Sequence, residues 1–182
     1  MPYENQIRII GGRWRGRRIR FPPREGVRPT PDRVRETLFN WLGQDLTGAS
    51  TLDLFAGSGA LSLEALSRGA ALAVAVDRNP VLVRSLARAG AALGTDRLEI
   101  HCVDSRAFLG QEKRLFDVIF LDPPFDYATW PALLASAAKR LAAGGALYAE
   151  AGAPIEGRSG LAVSRCQKAG QVHYHLLRQA SA

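Results

Sequence analysis

The hydrophobic positions from residue 50 onward fall into short, nearly continuous apolar runs separated by longer segments. The runs are typical of strands buried on both faces, and the segments between them are long enough for helices. The predicted strands are 51–56, 71–77, 97–104, 116–122 and 145–151, and the predicted helices are 60–68, 79–93, 105–110 and 128–142. This alternation predicts an α/β protein with a parallel sheet and helices on both of its faces.

The last part of the chain follows a different pattern. Residues 161–168 and 172–178 have the character of strands and are joined by a short segment that contains Gly170. Glycine readily adopts the backbone angles of tight hairpin turns, so we expect two antiparallel strands here. The sheet should therefore end in an antiparallel hairpin.

A second hairpin is predicted near the N-terminus. Residues 7–10 and 17–21 have the character of strands, and the segment GGRWRG between them supplies the turn. A helix should follow, with Thr30 as its N-cap and Pro31 at its first position, where proline is favoured. These elements precede the alternating part of the chain.

The composition fits one globular domain. The chain has 182 residues, 47% of them hydrophobic, and two cysteines that form no CxxC arrangement. This argues against a disulfide framework, and because the histidines lack metal-ligand spacing we expect no metal site. No apolar run approaches the roughly 18 residues of a membrane span, and the N-terminus lacks a signal-peptide pattern. We therefore expect a cytoplasmic protein and, since nothing suggests an obligate dimer, a monomer.

The net charge of +7 is concentrated at the N-terminus. Residues 1–35 contain ten arginines and three acidic residues, whereas the remainder has 14 basic and 14 acidic residues and is neutral. Arginine suits phosphate binding and base stacking because its guanidinium group is planar and always charged. We therefore predict that this segment binds nucleic acid, with a solvated basic tail as the alternative. The candidate contacts are Arg13, Trp14, Arg15, Arg17, Arg18 and Arg28.

A loop that contains glycine follows the first predicted strand of the sheet. Gly57 and Gly59 let the backbone approach a ligand closely, and Asp77 lies 20 residues after Gly57, the spacing at which an acid reaches ribose hydroxyls. A dinucleotide-binding loop would carry a third glycine where this chain has Ser62, which argues against an NAD-dependent reductase. The pattern favours another ligand that contains a nucleoside. A plain strand-to-helix turn is the alternative.

Acidic residues lie at the carboxyl ends of the predicted strands, where open parallel sheets bind their ligands. Asp53 lies within the first strand, and Asp77, Asp104 and Asp122 end the next three. Carboxylates repel phosphate groups, but they accept hydrogen bonds from hydroxyl and amino groups and attract positive charge. The sequence therefore predicts a ligand that carries those groups.

The motif LDPPF, at 121–125, supplies candidate catalytic groups. An exocyclic amine of a nucleobase is a weak nucleophile because its lone pair is delocalised into the ring. The Asp122 carboxylate and a backbone carbonyl at Pro123, held rigid by the adjacent Pro124, would accept its two N–H bonds and stabilise the positive charge that develops during attack. Phe125 offers a face on which an extruded base can stack. An ordinary turn with a surface aromatic residue is the alternative.

Together, LDLFAGSG and LDPPF resemble the class I S-adenosylmethionine-dependent methyltransferases that act on exocyclic amines. With RIIGGRWRGRRIRFP and VRPTPDRVRETLFNWL, the chain is similar to the RsmD family over essentially its whole length. The resemblance implies transfer of a methyl group to N2 of a guanine in bacterial 16S ribosomal RNA, at position 966 of that RNA, in the assembled or assembling small subunit. It also implies a Rossmann-like sheet of seven strands in the order 3-2-1-4-5-7-6, with the last strand antiparallel.

The resemblance further implies how S-adenosylmethionine is bound. Gly57 and Gly59 would pass under its methionine part, Asp77 would bind its ribose hydroxyls, and Asp104 with the backbone at Ser105 would contact its adenine. The implied cofactor-binding residues are Asp53, Gly57, Gly59, Asp77, Asp104, Ser105 and Thr30.

The same resemblance assigns the catalytic clamp and the domains. The clamp would consist of Asp122, Pro123, Pro124 and Phe125. Arg28 and Thr30 would contact the cofactor carboxylate or the target base. We accordingly divide the chain into a basic hairpin arm for RNA binding at 1–29 and a catalytic domain at 30–182.

Two other functions fit the motifs. The chain could methylate DNA at adenine N6 or cytosine N4, since LDPPF alone does not distinguish these amines and only the N-terminal segment points to ribosomal RNA. It could also be a non-catalytic RNA-binding module with the same fold. That function predicts a damaged glycine loop or clamp, whereas both motifs are intact in this sequence.

Overall fold

The computed structural model of the chain describes residues 5–22, 30–124 and 130–180. The strands are β1 (Asn5–Arg8), β2 (Arg18–Phe21), β3 (Ser50–Asp53), β4 (Leu72–Val76), β5 (Leu98–His101), β6 (Phe116–Leu121), β7 (Leu141–Ala151), β8 (Leu161–Ala169) and β9 (Val172–Gln179). The helices are α1 (Asp32–Leu42), α2 (Ala60–Ser67), α3 (Pro80–Ala92), α4 (Ser105–Gln111) and α5 (Trp130–Ala138). Within the described ranges, no helix is long and apolar enough to cross a membrane.

Strands β3 to β9 form one seven-stranded sheet in the order β5-β4-β3-β6-β7-β9-β8. Numbered along the chain within this sheet, the order is 3-2-1-4-5-7-6, as predicted. Strands β3 to β7 are parallel, and β9 runs antiparallel to both β7 and β8. The turn between β8 and β9 contains Gly170, which has a φ of 61°. The α/β class, the strand order and the C-terminal hairpin are therefore confirmed.

The sheet separates two hydrophobic clusters. One packs the sheet against α1, α2, α3 and the N-terminal hairpin, and the other packs it against α4 and α5. Side chains of the central strands alternate between these clusters, since Leu52 and Ile119 face one of them and Phe120 and Tyr148 face the other. Asp53 and Asp122 are placed by the same alternation at the end of the sheet, on the side of Phe120 and Tyr148.

The N-terminal hairpin is part of the hydrophobic core. β1 pairs with β2 in antiparallel register, and a short 3-10 helix at Gly12–Trp14 lies between them. The apolar side chains of the hairpin are buried in the same cluster as α1 and α2, and each such burial contributes roughly 1.5–3 kcal/mol. They are Ile7, Ile9, Trp14, Ile19 and Phe21. The division at residues 29 and 30 stays a prediction, but the hairpin is packed onto the sheet domain.

Trp14, one of the predicted RNA contacts, is buried in the core. Only 7% of Trp14 is exposed, and its backbone N–H donates to Ser67 Oγ on α2 at 2.9 Å. The backbone of Gly12, with a φ of 71°, approaches α2 so closely that a Cβ there would lie 1.9 Å from the Ser67 carbonyl oxygen. This close approach draws the turn against the helix and directs Trp14 inward.

Several predicted boundaries differ from the structure, and three of the differences have a visible cause. α1 begins at Asp32, with Pro31 as its N-cap, because the Thr30 hydroxyl donates to Glu150 Oε1 at 3.3 Å instead of capping the helix. The strand predicted at 97–104 is shorter because Asp104 caps α4. The helix predicted at 128–142 ends early, since β7 already begins at Leu141; its first two residues lie outside the described range.

Candidate active site

The glycine loop connects β3 to α2 at the carboxyl end of the sheet. Gly57 and Gly59 have φ values of 52° and 78°, in the left-handed region that favours glycine. Asp77, just after β4, accepts a hydrogen bond from Gly57 N at 2.9 Å and another from Asn79 N at 2.8 Å, one on each carboxylate oxygen. Asp77 therefore holds the loop in place, and each oxygen keeps a lone pair for a ligand.

Asp104 and Ser105 lie at the start of α4. Asp104 is the N-cap: its Oδ1 accepts from Arg106 N at 2.9 Å and from Ala107 N at 3.3 Å. Ser105 is buried, and its Oγ is the one enclosed side-chain polar atom in the described parts of the chain that has no hydrogen-bond partner. Such an atom is costly unless a ligand supplies the missing bond, so it marks a polar contact point beside Asp104.

Asp53 is buried beneath the glycine loop. Its Oδ2 accepts a hydrogen bond from Ser62 Oγ at 2.8 Å, so the residue that breaks the dinucleotide pattern has a defined task in α2. Burial raises the pKa of Asp53 to about 7, and the hydrogen bond from Ser62 only partly offsets this effect. The Asp53 carboxyl group is therefore close to half ionised at neutral pH. It lies at the carboxyl edge of the sheet, where a positively charged ligand would bind.

We expect Asp53→Asn to change how stability depends on pH. The unfolded state releases the Asp53 proton near pH 4 and the folded state near pH 7, so the free energy of unfolding should fall as pH rises through that window. The effect on the wild type should be roughly 2–3 kcal/mol between pH 5 and pH 8, and the variant should lack it. Urea unfolding at both pH values measures the difference; parallel changes in the two proteins would contradict the prediction.

Asp122 and Glu150 lie side by side at the ends of β6 and β7. Leu121 pairs with Ala149 in parallel register, so the residues that follow occupy neighbouring positions on strands roughly 4.8 Å apart. Pro123, Pro124 and Glu150 line one cleft of about 550 Å³, within the usual range for small-ligand sites. Phe125, the last residue of the predicted clamp, lies outside the described range.

Glu150 is held by hydrogen bonds to a single oxygen. Its Oε1 accepts from Tyr148 Oη at 2.6 Å and from Thr30 Oγ1 at 3.3 Å. Thr30, which was predicted to contact the cofactor or the base, is therefore brought next to the clamp. Burial raises the pKa of Glu150, with the two donors acting in the opposite direction.

The carboxylates of this site repel one another. Burial, followed by the charges of Glu150 and Asp53, raises the pKa of Asp122 well above its usual value. Buried acids with raised pKa values are typical of functional sites. Their charged form destabilises the folded protein unless a bound ligand pairs with it. A positively charged ligand would stabilise all three in their ionised form.

The N-terminal hairpin is fastened to α2 by a buried ionic network. Glu64 accepts from Ile10 N at 2.9 Å and Gly11 N at 2.7 Å, and it pairs with Arg35 at 3.3 Å and Arg68 at 2.9 Å. Arg35 is fully buried and also donates to the Arg8 carbonyl oxygen at 2.8 Å. Glu64 lies in the second turn of α2, the helix that begins directly after the glycine loop. The same helix therefore positions both the loop and the hairpin.

The outer face of the hairpin is basic. Arg13, Arg15, Arg17 and Arg18 are exposed, whereas Trp14 is buried and Arg28 lies outside the described range. The Arg13 guanidinium lies over the Trp14 ring, 4.2 Å from its centroid, and Arg17 donates to the Ala92 carbonyl oxygen at 3.3 Å. Four of the six predicted RNA contacts are therefore exposed on the hairpin.

Sequence analysis missed Ser62, Glu64 and Glu150. Two of them had a visible signal: Glu64 and Glu150 are acids within otherwise apolar segments, ALSLEALS and GALYAEA. A carboxylate in such a position is rarely buried without partners. Ser62 gave no signal beyond its departure from the dinucleotide pattern.

Comparison with known proteins gives consistent results. The family model described as conserved hypothetical protein 95 matches residues 7–178. The ribosomal RNA small subunit methyltransferase D of Escherichia coli is 48% identical over 120 residues, which cover 66% of this chain and 61% of that protein. The Haemophilus influenzae protein of the same name is 41% identical over 128 residues, covering 68% of this chain and 66% of that one. This chain therefore aligns with less than two thirds of the length of either relative.

The fold has a solved counterpart in Escherichia coli. The structure called "Putative methyltransferase yhhF" is 38% identical and superposes with a TM-score of 0.87, covering 98% of this chain and all of that chain. A hypothetical protein of Thermus thermophilus is 29% identical with a TM-score of 0.77, covering 93% of this chain and 98% of that one.

Proposed function

This chain belongs to the RsmD family, the one described as conserved hypothetical protein 95, and from that premise we propose that it methylates the N2 amine of a guanine in small-subunit ribosomal RNA, using S-adenosylmethionine. The observation that carries the proposal is the convergence, at the carboxyl edge of the sheet, of the glycine loop that Asp77 holds and of Asp122 with Asp53 and Glu150 near it. The guanine would be the one at position 966 of 16S RNA, in an assembled or assembling subunit.

The residues at the carboxyl edge of the sheet fit S-adenosylmethionine. The left-handed glycines of the loop would lie against the methionine part of the cofactor. The free lone pairs of Asp77 would accept hydrogen bonds from its ribose hydroxyls, and the unpartnered Ser105 Oγ would contact its adenine ring. Asp53 would balance the positive charges of the ligand. When bound, the cofactor supplies a methyl group on a positively charged sulfur.

The clamp residues would make the target amine reactive. Asp122 and the carbonyl at Pro123 would each accept one N–H of the amine, which localises its lone pair for attack on the methyl carbon. The bound cofactor would supply the methyl carbon, and positive charge would develop on the amine nitrogen as that carbon is transferred to it. The largely desolvated Asp122 carboxylate would stabilise that charge and would then accept the extra proton from the nitrogen.

The direct test is methyl transfer in solution. Purified protein, labelled S-adenosylmethionine and small subunits from cells that lack the protein should give one methylated guanine, mapped by mass spectrometry of the RNA. Duplex DNA in a parallel reaction should remain unlabelled. Labelled adenine or cytosine in DNA, with unlabelled RNA, would replace the proposal with the DNA methyltransferase alternative.

We expect Asp77→Ala to weaken cofactor binding. The variant loses the ribose acceptor and also the hydrogen bond that holds Gly57 N, so affinity should fall by roughly 1.5–3 kcal/mol. Titration calorimetry with S-adenosylmethionine measures the loss. Asp96→Ala, at an exposed acid outside the site, serves as the control, and equal affinity of the two variants would exclude a role for Asp77.

The exposed arginines of the hairpin should bind RNA phosphates. Each phosphate contact releases counterions, so log K should fall with log salt, and replacing Arg13, Arg15 and Arg18 by glutamine should reduce that slope by roughly 2–3 units. Substitution is preferable to deletion of the hairpin, whose apolar side chains belong to the core.

A matched control removes the same charge elsewhere. Three exposed basic residues serve as the control: Lys139 directly follows α5, and Arg165 and Lys168 lie on β8. Their replacement by glutamine should leave the slope nearly unchanged. Equal slopes for both triple variants, in binding titrations of small subunits over a salt series, would show that the hairpin is a solvated basic surface.

A further inference from the structure

Glu150 lies where a second edge of the target base would be read. We propose that Glu150 selects guanine, by accepting a hydrogen bond from the ring N1–H while Asp122 holds the adjacent N2 amine. The inference rests on the proposed function and adds the residue that determines which base is accepted. It is carried by the position of Glu150, by how its carboxylate is held and by the hydrogen-bonding pattern of the bases.

The position of Glu150 matches two neighbouring donors on one ring. The register of β6 and β7 puts its side chain next to Asp122, and both Pro123 and Glu150 line the same cleft. Guanine carries its N1–H directly beside the N2 amine. A guanine whose amine reaches Asp122 can turn either N1–H or N3 toward the neighbouring strand, and the Glu150 carboxylate would favour N1–H because it repels the lone pair of N3.

The carboxylate of Glu150 is oriented before any base arrives. Glu150 is only 7% exposed, and both of its protein donors, Tyr148 Oη and Thr30 Oγ1, contact the same oxygen, Oε1. In the described residues no donor contacts Oε2. The burial and one-sided hydrogen bonding thus leave Oε2 as a fixed acceptor at the cleft.

The bases differ at the position that this acceptor would meet. Guanine has a hydrogen on the ring nitrogen next to its amine, whereas adenine N1 and cytosine N3 carry lone pairs there. A carboxylate oxygen attracts the first and repels the other two. Sites built to pair a particular donor reject analogues that lack it far more strongly than apolar pockets do.

The inference requires ionised Glu150. Burial raises its pKa, and a protonated Glu150 would donate rather than accept and so would favour a ring nitrogen without hydrogen. Among the described residues, Asp122 and Tyr148 lie beside it and have raised pKa values of their own, and Glu156 and Arg158 line the same cleft. Selectivity for guanine should therefore be greatest in alkaline buffer, and assays belong at about pH 8.5, far above the usual carboxyl range.

The decisive substitution is Glu150→Gln. Tyr148 and Thr30 donate to Oε1, so they should hold the amide oxygen there and place the amide NH₂ at the position of Oε2. The variant then presents a donor where the wild type presents an acceptor. Guanine should become a poor substrate, whereas 2-aminopurine, which keeps the N2 amine but has a lone pair at N1, should become a better one.

The experiment compares the two bases in the same context. Small subunits are reconstituted with ligated ribosomal RNA that carries guanine or 2-aminopurine at the position methylated by the wild type, and kcat/KM is measured for each. We expect the guanine to 2-aminopurine ratio to fall by at least about tenfold in Glu150→Gln. Glu156→Gln, at an exposed acid on the rim of the same cleft, should keep the wild-type ratio.

The outcomes separate this inference from the function on which it rests. Suppose that wild-type protein methylates guanine and that Glu150→Gln lowers kcat/KM equally for both bases or for neither. Glu150 then supports the fold or the chemistry without selecting the base, so the inference is overturned while the function stands. If wild-type protein methylates no RNA, both are overturned. Unchanged cofactor affinity in Glu150→Gln, measured by calorimetry, shows that a changed ratio reflects the base and not the cofactor.

Discussion

Replacing Asp122 with alanine is expected to lower the rate of methyl transfer by at least about 10²–10³-fold, the usual effect of removing one group that stabilises transition-state charge. S-adenosylmethionine should still bind, because the glycine loop, Asp77 and Ser105 follow β3, β4 and β5, whereas Asp122 follows β6. The loss should therefore appear in kcat with saturating RNA rather than in KM. Single-turnover assays with labelled cofactor measure it.

Two companion measurements define the role of Asp122. Asp122→Asn keeps an acceptor oxygen but loses the charge, so intermediate activity would indicate that the hydrogen bond and the charge both contribute. Folding should not suffer in either variant, because a buried acid with a raised pKa destabilises the native state at neutral pH. Near-normal turnover by Asp122→Ala at saturating substrate would rule out the clamp.

Of the substitutions proposed for this protein, the removal of Glu64 should lower the free energy of unfolding the most. Glu64→Ala leaves Arg35 and Arg68 buried without their shared carboxylate and takes the acceptor from two backbone N–H groups of the hairpin. Loss of one partner of a buried charge pair typically costs roughly 3–5 kcal/mol. Urea unfolding measures the loss, and Glu36→Ala, at an exposed acid of α1, should change stability by less than about 0.5 kcal/mol.

A double substitution tests the ionic origin of this effect. Arg35 also pairs with Asp32 at 2.6 Å, so it keeps one carboxylate partner in Glu64→Ala. Each single substitution breaks the Arg35–Glu64 pair, so the double variant Glu64→Ala/Arg35→Met should lose less stability than the sum of the two single losses. Hydrogen exchange at Ile10 and Gly11 should rise in Glu64→Ala, because their amides lose their acceptor. Additive losses with unchanged exchange would show that Glu64 does not hold the hairpin.

The buried acids of this site link stability to function. Asp53, Asp122 and Glu150 each have a raised pKa, so each is held in a fold that would be more stable without its charge. In the proposed function, a cationic cofactor and a target amine with N–H donors would supply the missing partners. The Asp53 and Asp122 variants should therefore lose function while keeping or gaining stability, the reverse of the Glu64 variant.

The elements of the sheet could be predicted from the sequence because their signals are local. Apolar runs such as FDVIFL are compatible only with buried strands, glycine and proline mark the turns beside them, and acids at strand ends must meet at one edge of a parallel sheet. The positions of Asp53, Asp77, Asp104 and Asp122 relative to the strands followed from this rule. The order of the strands came from the resemblance to a known family, since periodicity alone does not order strands.

Only the tertiary structure decided how distant residues are paired. Thr30 resembled an N-cap and Trp14 an exposed ring, because local rules could not see Glu150 or the surface of α2 as partners. Ser62 with Asp53, and Glu64 with Arg35, are likewise pairs brought together by the packing of helices on the sheet. The physical reason is that periodicity tells which face of an element is buried, but strand register and helix packing determine which polar groups meet there. The sequence determined the strands of the sheet and the glycine loop and predicted the clamp. The packed structure determined that Glu150 lies beside Asp122 and that the hairpin is part of the core.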